Sequence, residues 1–382
     1  MYKVYIWFLN SWLFIFVFFL TAPAAESQIG KRFPPEKRVI TDTVTGARLT
    51  FLTSSLINDY LTPDNPRQWT ADGKWLIFRS LRLPGETLAV NENTGDIVQV
   101  TDGGYMPVMC LSAKSMKMYY MRMVLRQPGQ TSGGPVQVVE VDLERLFSDS
   151  GAGTLKAEKE YQKVCGIIPA GMSFGNVMAL DADDEWVYFI LSEEEAAKHN
   201  PVDPAAQSRS GIGMALKGEA GIGRISLTTR ETEIVVVVPF GIAGLQSDPR
   251  NPGEIIFSCE TGEGAPQETW TVRSDGSCLK PLSTPQENVS AVQGAPEAGL
   301  RHFSRPADGR WSVADDLAGN IYLINTQSNE MLLLSSGHLT SVAVNPHPSF
   351  SPDGTRIVIR SGMLSGNNRS TDICLIPLTE KE

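Results

Sequence analysis

Basic residues are in short supply. Against 43 Asp and Glu stand 33 Lys and Arg, so the 382-residue chain carries a formal charge of −10 at pH 7. Nucleic-acid binding rests on clustered Lys and Arg facing phosphates, and the basic run here is confined to the stretch from Lys31 to Arg38. A nucleic-acid partner is therefore excluded. Cysteine is sparse as well. Cys110, Cys165, Cys259, Cys278 and Cys374 form no CxxC pair, which excludes a cysteine-built zinc cluster. Cys259 and Cys278 could flank neighbouring strands, but burial as small apolar side chains is the expectation for the set. There is no phosphate-binding glycine loop, no Gly-x-Ser-x-Gly nucleophile elbow and no HExxH pair.

What is present points to a turn-rich folded chain. Apolar residues make up 42% of it, with 7 Trp, 9 Tyr and 15 Phe, enough to bury a core. Gly (34) and Pro (24) supply many turns. The first 25 residues read as an export signal. Lys3 precedes an apolar run from Val4 to Leu20, interrupted only by Asn10 and Ser11, and Ala22 to Ala25 offer small residues for cleavage. Residues 1–25 are thus expected to be removed. That leaves 26–382 as a single domain in the periplasm or outside the cell, with no stable membrane insertion after cleavage.

A repeated figure runs through that domain. Gln68 to Phe78 places an Asp-Gly turn (Asp72, Gly73) before a short apolar run, the pattern of a β-hairpin. It returns around Asp308-Gly309 before Trp311 to Val313, and around Asp353-Gly354 before Ile357 to Ile359. Degenerate copies lie at Leu111 to Lys114, Asp181 to Asp184 and Asp248 to Gly253, each followed by a strand-like run. Further strand pairs follow most copies, for example Thr87 to Val100 and Ile321 to Leu334. The units recur at intervals of about 40 to 70 residues, and the shorter intervals suit the blades of a propeller. Four-stranded sheets that repeat in this way stack radially and hide their edges by closing a ring. The expectation is an all-β, six-bladed β-propeller. Its last unit lacks a fourth strand, which Ala47 to Thr53 would supply from the N-terminal side.

Chemistry in such a ring gathers at the channel mouth. Of the four histidines, His302 and His347 each stand six residues before the Asp of a hairpin, Asp308 and Asp353. Two blades then present an imidazole at one height, the start of a site for a divalent metal. Asn345 shares a strand face with His347 by the two-residue alternation and is a third candidate ligand.

Asn345-Pro346-His347-Pro348-Ser349-Phe350-Ser351-Pro352-Asp353 resembles the His-Pro-His-Pro-Ser-Phe-x-Pro-Asp segment of the oligogalacturonate lyase family. His338-Leu339-Thr340-Ser341 is similar to a His-x-Thr-Ser stretch of that family, and Arg301 to Ser304 with Asp308-Gly309 to its earlier metal-histidine segment. Asp59-Tyr60 with Trp69, Asp72, Gly73 and Leu76 to Phe78 is similar to its first blade. The likeness spreads from Ile40 to Leu378. It implies a propeller of seven blades, a Mn²⁺ or other divalent ion held by three histidines and a glutamine, and β-elimination on short oligogalacturonides in pectin breakdown. His302 and His347 match two of the ligands. Asn345 stands where a third histidine is expected and Val342 where the glutamine is. The substrate arginine falls near Glu268 or Thr269, and the family's base histidine lies on a blade that Pro281 to Gly299 is too short to build.

Two functions follow as expectations. In the first, the chain is a lyase with altered ligands, using Glu260, Glu263 or Tyr105 as base and Arg301 as a clamp on the substrate carboxylate. In the second, it is a non-catalytic propeller that binds a glycan or a protein at the channel mouth.

Overall fold

The computed structural model describes residues 28–378 except 56, 63–66, 105–107, 125–133, 174–176, 203–218, 249–250, 260–268, 283–298, 306–308, 339–344 and 366–369. Three short strands come first: β1 (Arg32–Phe33), β2 (Arg38–Thr41) and β3 (Arg48–Phe51). Blade 1 follows, with β4 (Asp59–Tyr60) innermost, then β5 (Trp75–Ser80), β6 (Thr87–Asn91) and β7 (Ile97–Gln99), and β1 added at the outer edge. Blade 2 is β8 (Met109–Leu111), β9 (Lys117–Met123), β10 (Val136–Asp142) and β11 (Gln162–Ile168), with the helix α1 (Leu143–Ala152) between its last two strands. Blade 3 holds β12 (Met178–Leu180), β13 (Trp186–Ile190), β14 (Ala220–Ser226) and β15 (Thr232–Val238), and α2 (Glu193–Ala196) interrupts it. Blade 4 is β16 (Ile242–Ser247), β17 (Glu254–Cys259), β18 (Thr269–Arg273) and β19 (Lys280–Pro281). Blade 5 is β20 (Leu300–Ser304), β21 (Trp311–Asp316), β22 (Ile321–Asn325) and β23 (Met331–Ser335). Blade 6 runs β24 (Ser349–Phe350), β25 (Arg356–Ser361) and β26 (Asp372–Pro377), and is finished by β3 and β2. The fold is an all-β propeller of six blades, as the repeat implies.

The hairpin turns form for a local reason. In blade 1, Thr70 Oγ1 donates to Asp72 Oδ1 at 2.6 Å, and the Lys74 N–H donates to the same oxygen at 3.1 Å. Blade 6 repeats this with Ser351, Asp353 and Thr355 at 2.6 and 3.1 Å. The following glycine then reverses the chain in the left-handed region, at φ 67° for Gly73 and 70° for Gly354, where a side chain would strain.

Apolar side chains on alternate positions of each strand weld neighbouring blades together. One buried cluster joins blades 1 and 2 through Ile77, Tyr120, Val139 and the helix residue Leu146. Others join blades 2 and 3 (Met121, Val138, Phe189), 3 and 4 (Tyr188, Val236, Phe257), 5 and 6 (Val313, Ile321, Ile357) and 6 and 1 (Val358, Leu76, Phe78). Between blades 4 and 5 the described core is small, Ala314 and Ile324 with partly buried Leu300, Phe303 and Met331, all from blade 5.

The ring closes where β3 pairs with β26, Phe51 opposite Cys374 and Thr50 opposite Leu375. The expected closing strand is thus present, and β2 extends it into a hairpin. Four of the five cysteines are buried and Cys278 is exposed; no disulfide joins Cys259 to Cys278.

Acidic groups are trapped at the seam between blades 6 and 1. The buried Arg82 donates to Glu36 Oε1 at 2.7 Å and to Asp59 Oδ2 at 3.0 Å. Asp59 Oδ1 and Asp372 Oδ1, both buried, have no hydrogen-bond partner. Burial, together with the charges of Asp59 and Glu36, lifts the Asp372 pKa to about 8, and burial lifts that of Asp59 to about 6 against the pull of Arg82. An unfolded Asp titrates near pH ~4, so the folded chain holds protons that the unfolded chain has released. The contribution of these two carboxyls to stability is therefore greatest below pH ~4 and is lost as pH rises to about 8. Urea denaturation should show a loss of roughly 3–5 kcal/mol between pH 5 and 8.5, and Asp372→Asn should flatten that slope. A profile that Asp372→Asn leaves unchanged would show that this carboxyl does not cause it.

Candidate functional site

His302 lies on β20, the innermost strand of blade 5, and His347 just before β24, the innermost strand of blade 6. Between Arg301 and Ser304 the ladder shifts register, so that His302 and Phe303 together face Ala314. That bulge bends the strand and re-aims the side chain. Both histidines take the left-handed backbone conformation, φ 45° and 49°, uncommon for a residue with a side chain. Their rings meet, with centroids 3.8 Å apart and planes inclined by 39°.

Asp315 on β21 holds the pair in place. Its Oδ1 is 2.7 Å from His302 Nδ1, and its Oδ2 accepts the His347 backbone N–H at 3.0 Å. The carboxylate, wholly buried, takes the proton-bearing Nδ1 of His302 and leaves the Nε2 lone pair free. Burial, then the neighbouring His302 and Arg360, push the His347 pKa down to about 3, so this ring stays neutral. Two imidazoles with a carboxylate behind one of them are the donor chemistry a divalent ion uses. Among the described residues no group of three or more His, Cys, Asp or Glu is placed to hold a metal.

The same mouth carries three groups that the reading of the hairpins from their upstream side passes over. Arg79, Asp315 and Arg360 each follow the Asp of an Asp-Gly turn (Asp72, Asp308, Asp353) by seven residues. A hairpin that turns at its Asp-Gly brings the far end of its second strand back beside the start of its first. Arg79 on β5 accordingly faces Tyr60 on β4 in register, and the Arg360 N–H donates to Pro346 O at 2.9 Å. Arg360 is only 7% exposed, and its Nη2 donates to Asn345 O at 2.8 Å. Both guanidiniums approach the Tyr60 ring, 5.8 Å from its centroid for Arg79 and 5.9 Å for Arg360. Burial and the like charge of Arg79 lower the Arg360 pKa to about 10.

The other candidates fare differently. Arg301 is exposed and paired in the backbone ladder with Asp315. For Asn345 the described contact is its backbone carbonyl on Arg360. His338 is fully buried, with Nδ1 2.8 Å from Ser361 Oγ and Nε2 2.7 Å from Ser335 Oγ, and burial lowers its pKa to about 4. Both of its ring nitrogens are engaged, and its place is structural. Glu260, Glu263 and Tyr105 lie outside the described residues, as do Val342 and Glu268.

Two solved structures match this architecture over nearly their whole length. One, an oligogalacturonate lyase in complex with manganese, has a TM-score of 0.62 at 17% sequence identity, covering 93% of this chain and 99% of its own. The other, an oligogalacturonate lyase from Vibrio parahaemolyticus, has a TM-score of 0.64 at 16% identity, covering 92% and 99%. No protein-family model and no curated protein sequence matches the chain. This chain is similar in fold to these oligogalacturonate lyases at an identity below one residue in five.

Proposed function

We propose that this chain is an exported, lyase-type propeller that takes short uronic-acid oligosaccharides at the channel mouth and cleaves them by β-elimination, with His302 and His347 seating a divalent ion such as Mn²⁺. The observation that carries this reading is the meeting of the two imidazoles, 3.8 Å apart, on neighbouring blades. The likeness in fold to an oligogalacturonate lyase in complex with manganese supports it. Bound to a uronate carboxylate, a divalent ion acts as a Lewis acid and makes the C5 proton easier to remove.

The chain's own groups prepare that site. Asp315 fixes the His302 ring and keeps the Nε2 lone pair outward, while burial keeps His347 uncharged and available as a donor. Arg301 is the exposed candidate for contact with a longer chain of sugars, and Asn345 stands beside the pair as a further oxygen donor. The proton at C5 needs a base, for which Glu260, Glu263 and Tyr105 are the candidates. Elimination then breaks the C4–O bond, the departing sugar takes a proton from solvent on that oxygen, and a 4,5-unsaturated uronide remains.

One observation favours a second reading. Asp315, the carboxylate bonded to the pair, has both oxygens engaged and cannot serve as the base. A propeller without a base would bind a glycan or protein at this mouth and release it unchanged. Absorbance separates the two. With oligogalacturonates and Mn²⁺ a lyase generates the absorbing unsaturated product, and His347→Ala should cut its rate by about two orders of magnitude or more. A flat trace over a panel of uronides, joined to a ligand-dependent rise in melting temperature, would establish the binder instead.

A further inference from the structure

Two cations at the channel mouth lack a directly bonded anion; the carboxylate that acts on Arg360, Asp315, has its oxygens engaged by His302 and the His347 backbone. Among the described residues neither Arg79 nor Arg360 makes an ion pair, and the Nε of each is buried without a hydrogen-bond partner. Other arginines of low exposure are paired: Arg82 with Glu36 and Asp59, Arg224 with Glu233, and Arg356 with Glu92 and Asp353. An unpaired guanidinium that is 7% exposed is costly, and a second one beside the same tyrosine adds repulsion. An oxyanion placed between them would remove both penalties and would meet planar, forked donors suited to a carboxylate.

We propose that Arg79 and Arg360, held by the ring of Tyr60, form a subsite for the carboxylate of a sugar acid, adjoining the His302–His347 pair. Arg360 connects the two places directly. Its backbone N–H and its Nη2 bond the carbonyls of Pro346 and Asn345, the two residues before His347. A ligand carboxylate on this fork lies beside the imidazoles rather than on them. The subsite thus selects a substrate with one acidic group at the pair and a second on the neighbouring sugar, a dimer or longer chain of uronates. This inference rests on the pair being the reacting centre of the function proposed above.

Calorimetric titration of the full chain with digalacturonate, in EDTA so that no metal contributes, tests it. Wild type should bind digalacturonate and show no comparable heat with neutral galactobiose. Arg79→Gln should weaken binding about tenfold or more, and Arg360→Lys, which keeps the charge but loses the fork, by a similar factor. Arg145→Gln is the control, since Arg145 also lies over a tyrosine (Tyr161, 6.0 Å) but is paired with Glu160 at 2.8 Å, and it should bind as wild type. Wild-type affinity in folded Arg79→Gln would overturn the proposal. So would galactobiose or galactose 6-sulfate binding as tightly as digalacturonate. The elimination assay is read separately: no product with Mn²⁺ while digalacturonate binding persists removes the lyase reading and leaves the subsite standing.

Discussion

Asp315→Asn is expected to lower the affinity of the His302–His347 pair for a divalent ion by about 10- to 100-fold, with the propeller still folded. The argument is one of hydrogen-bond direction. Asp315 accepts twice, from His302 Nδ1 and from the His347 backbone N–H. An asparagine of the same shape accepts with its oxygen and donates with its nitrogen. The backbone N–H cannot change its role, so the amide oxygen must serve it, and the amide NH₂ is left facing His302 Nδ1. That ring then has to accept at Nδ1 and carry its proton on Nε2, which removes the lone pair a metal would use. A titration of the metal-free protein with Mn²⁺, followed by calorimetry or by the loss of the free-ion paramagnetic signal, reads the change directly. His302→Ala should abolish the stoichiometric site. Unchanged Mn²⁺ affinity in folded Asp315→Asn would mean that the carboxylate does not set the tautomer.

Phe51→Ala should cost about 3–5 kcal/mol, a large share of the 5–15 kcal/mol that holds a typical domain folded. Phe51 and Leu52 are adjacent and wholly buried, and because successive side chains of a strand point to opposite faces they enter different interfaces. Phe51 packs with Val313, Ile357 and Ile359 between blades 5 and 6. Leu52 packs with Trp69, Val358 and Ile373 between blades 6 and 1. Removing the Phe51 ring leaves a cavity on one side of a strand that is joined to β26 through only two paired positions. Urea denaturation of Phe51→Ala beside Leu332→Ala, whose side chain is exposed on β23, isolates the effect; the latter should stay within about 0.5 kcal/mol of wild type. Equal midpoints for the two variants would show that the closing strand contributes little.

The parts of this fold that were readable in the sequence are those governed by local rules. Asp-Gly turns with a hydroxyl two residues before them mark blades 1 and 6, and the apolar run after each turn marks its second strand. The histidines were readable because a fixed offset from a turn becomes a fixed height in the ring. Arg79, Asp315 and Arg360 obey the same arithmetic on the downstream side, and counting forward from each Asp-Gly would have found them. Other features depend on partners far away in the chain. Strands β1 and β2 are short and mostly exposed, so their own residues carry no burial pattern, and only β7 and β3 give them a place. Helix α1 is announced by its caps, with Asp142 accepting from the Arg145 N–H and Gly153 at φ 70°, yet it sits inside a blade where the repeat calls for a turn. Arg301 stands next to His302 in the sequence, and its side chain is exposed beside the bulge that re-aims the histidine.

The pairing of β3 with β26 also sets a timetable. The bond from the Ile373 N–H to Thr53 Oγ1 spans 320 residues. At about 5–20 residues per second, the ribosome delivers the second partner roughly 15 to 60 s after the first. Through that interval the edge meant for β26 is unprotected, and five finished blades cannot shelter it. A holding factor, or a nascent chain kept unfolded until it is complete, is what such a clasp requires of the cell that makes it.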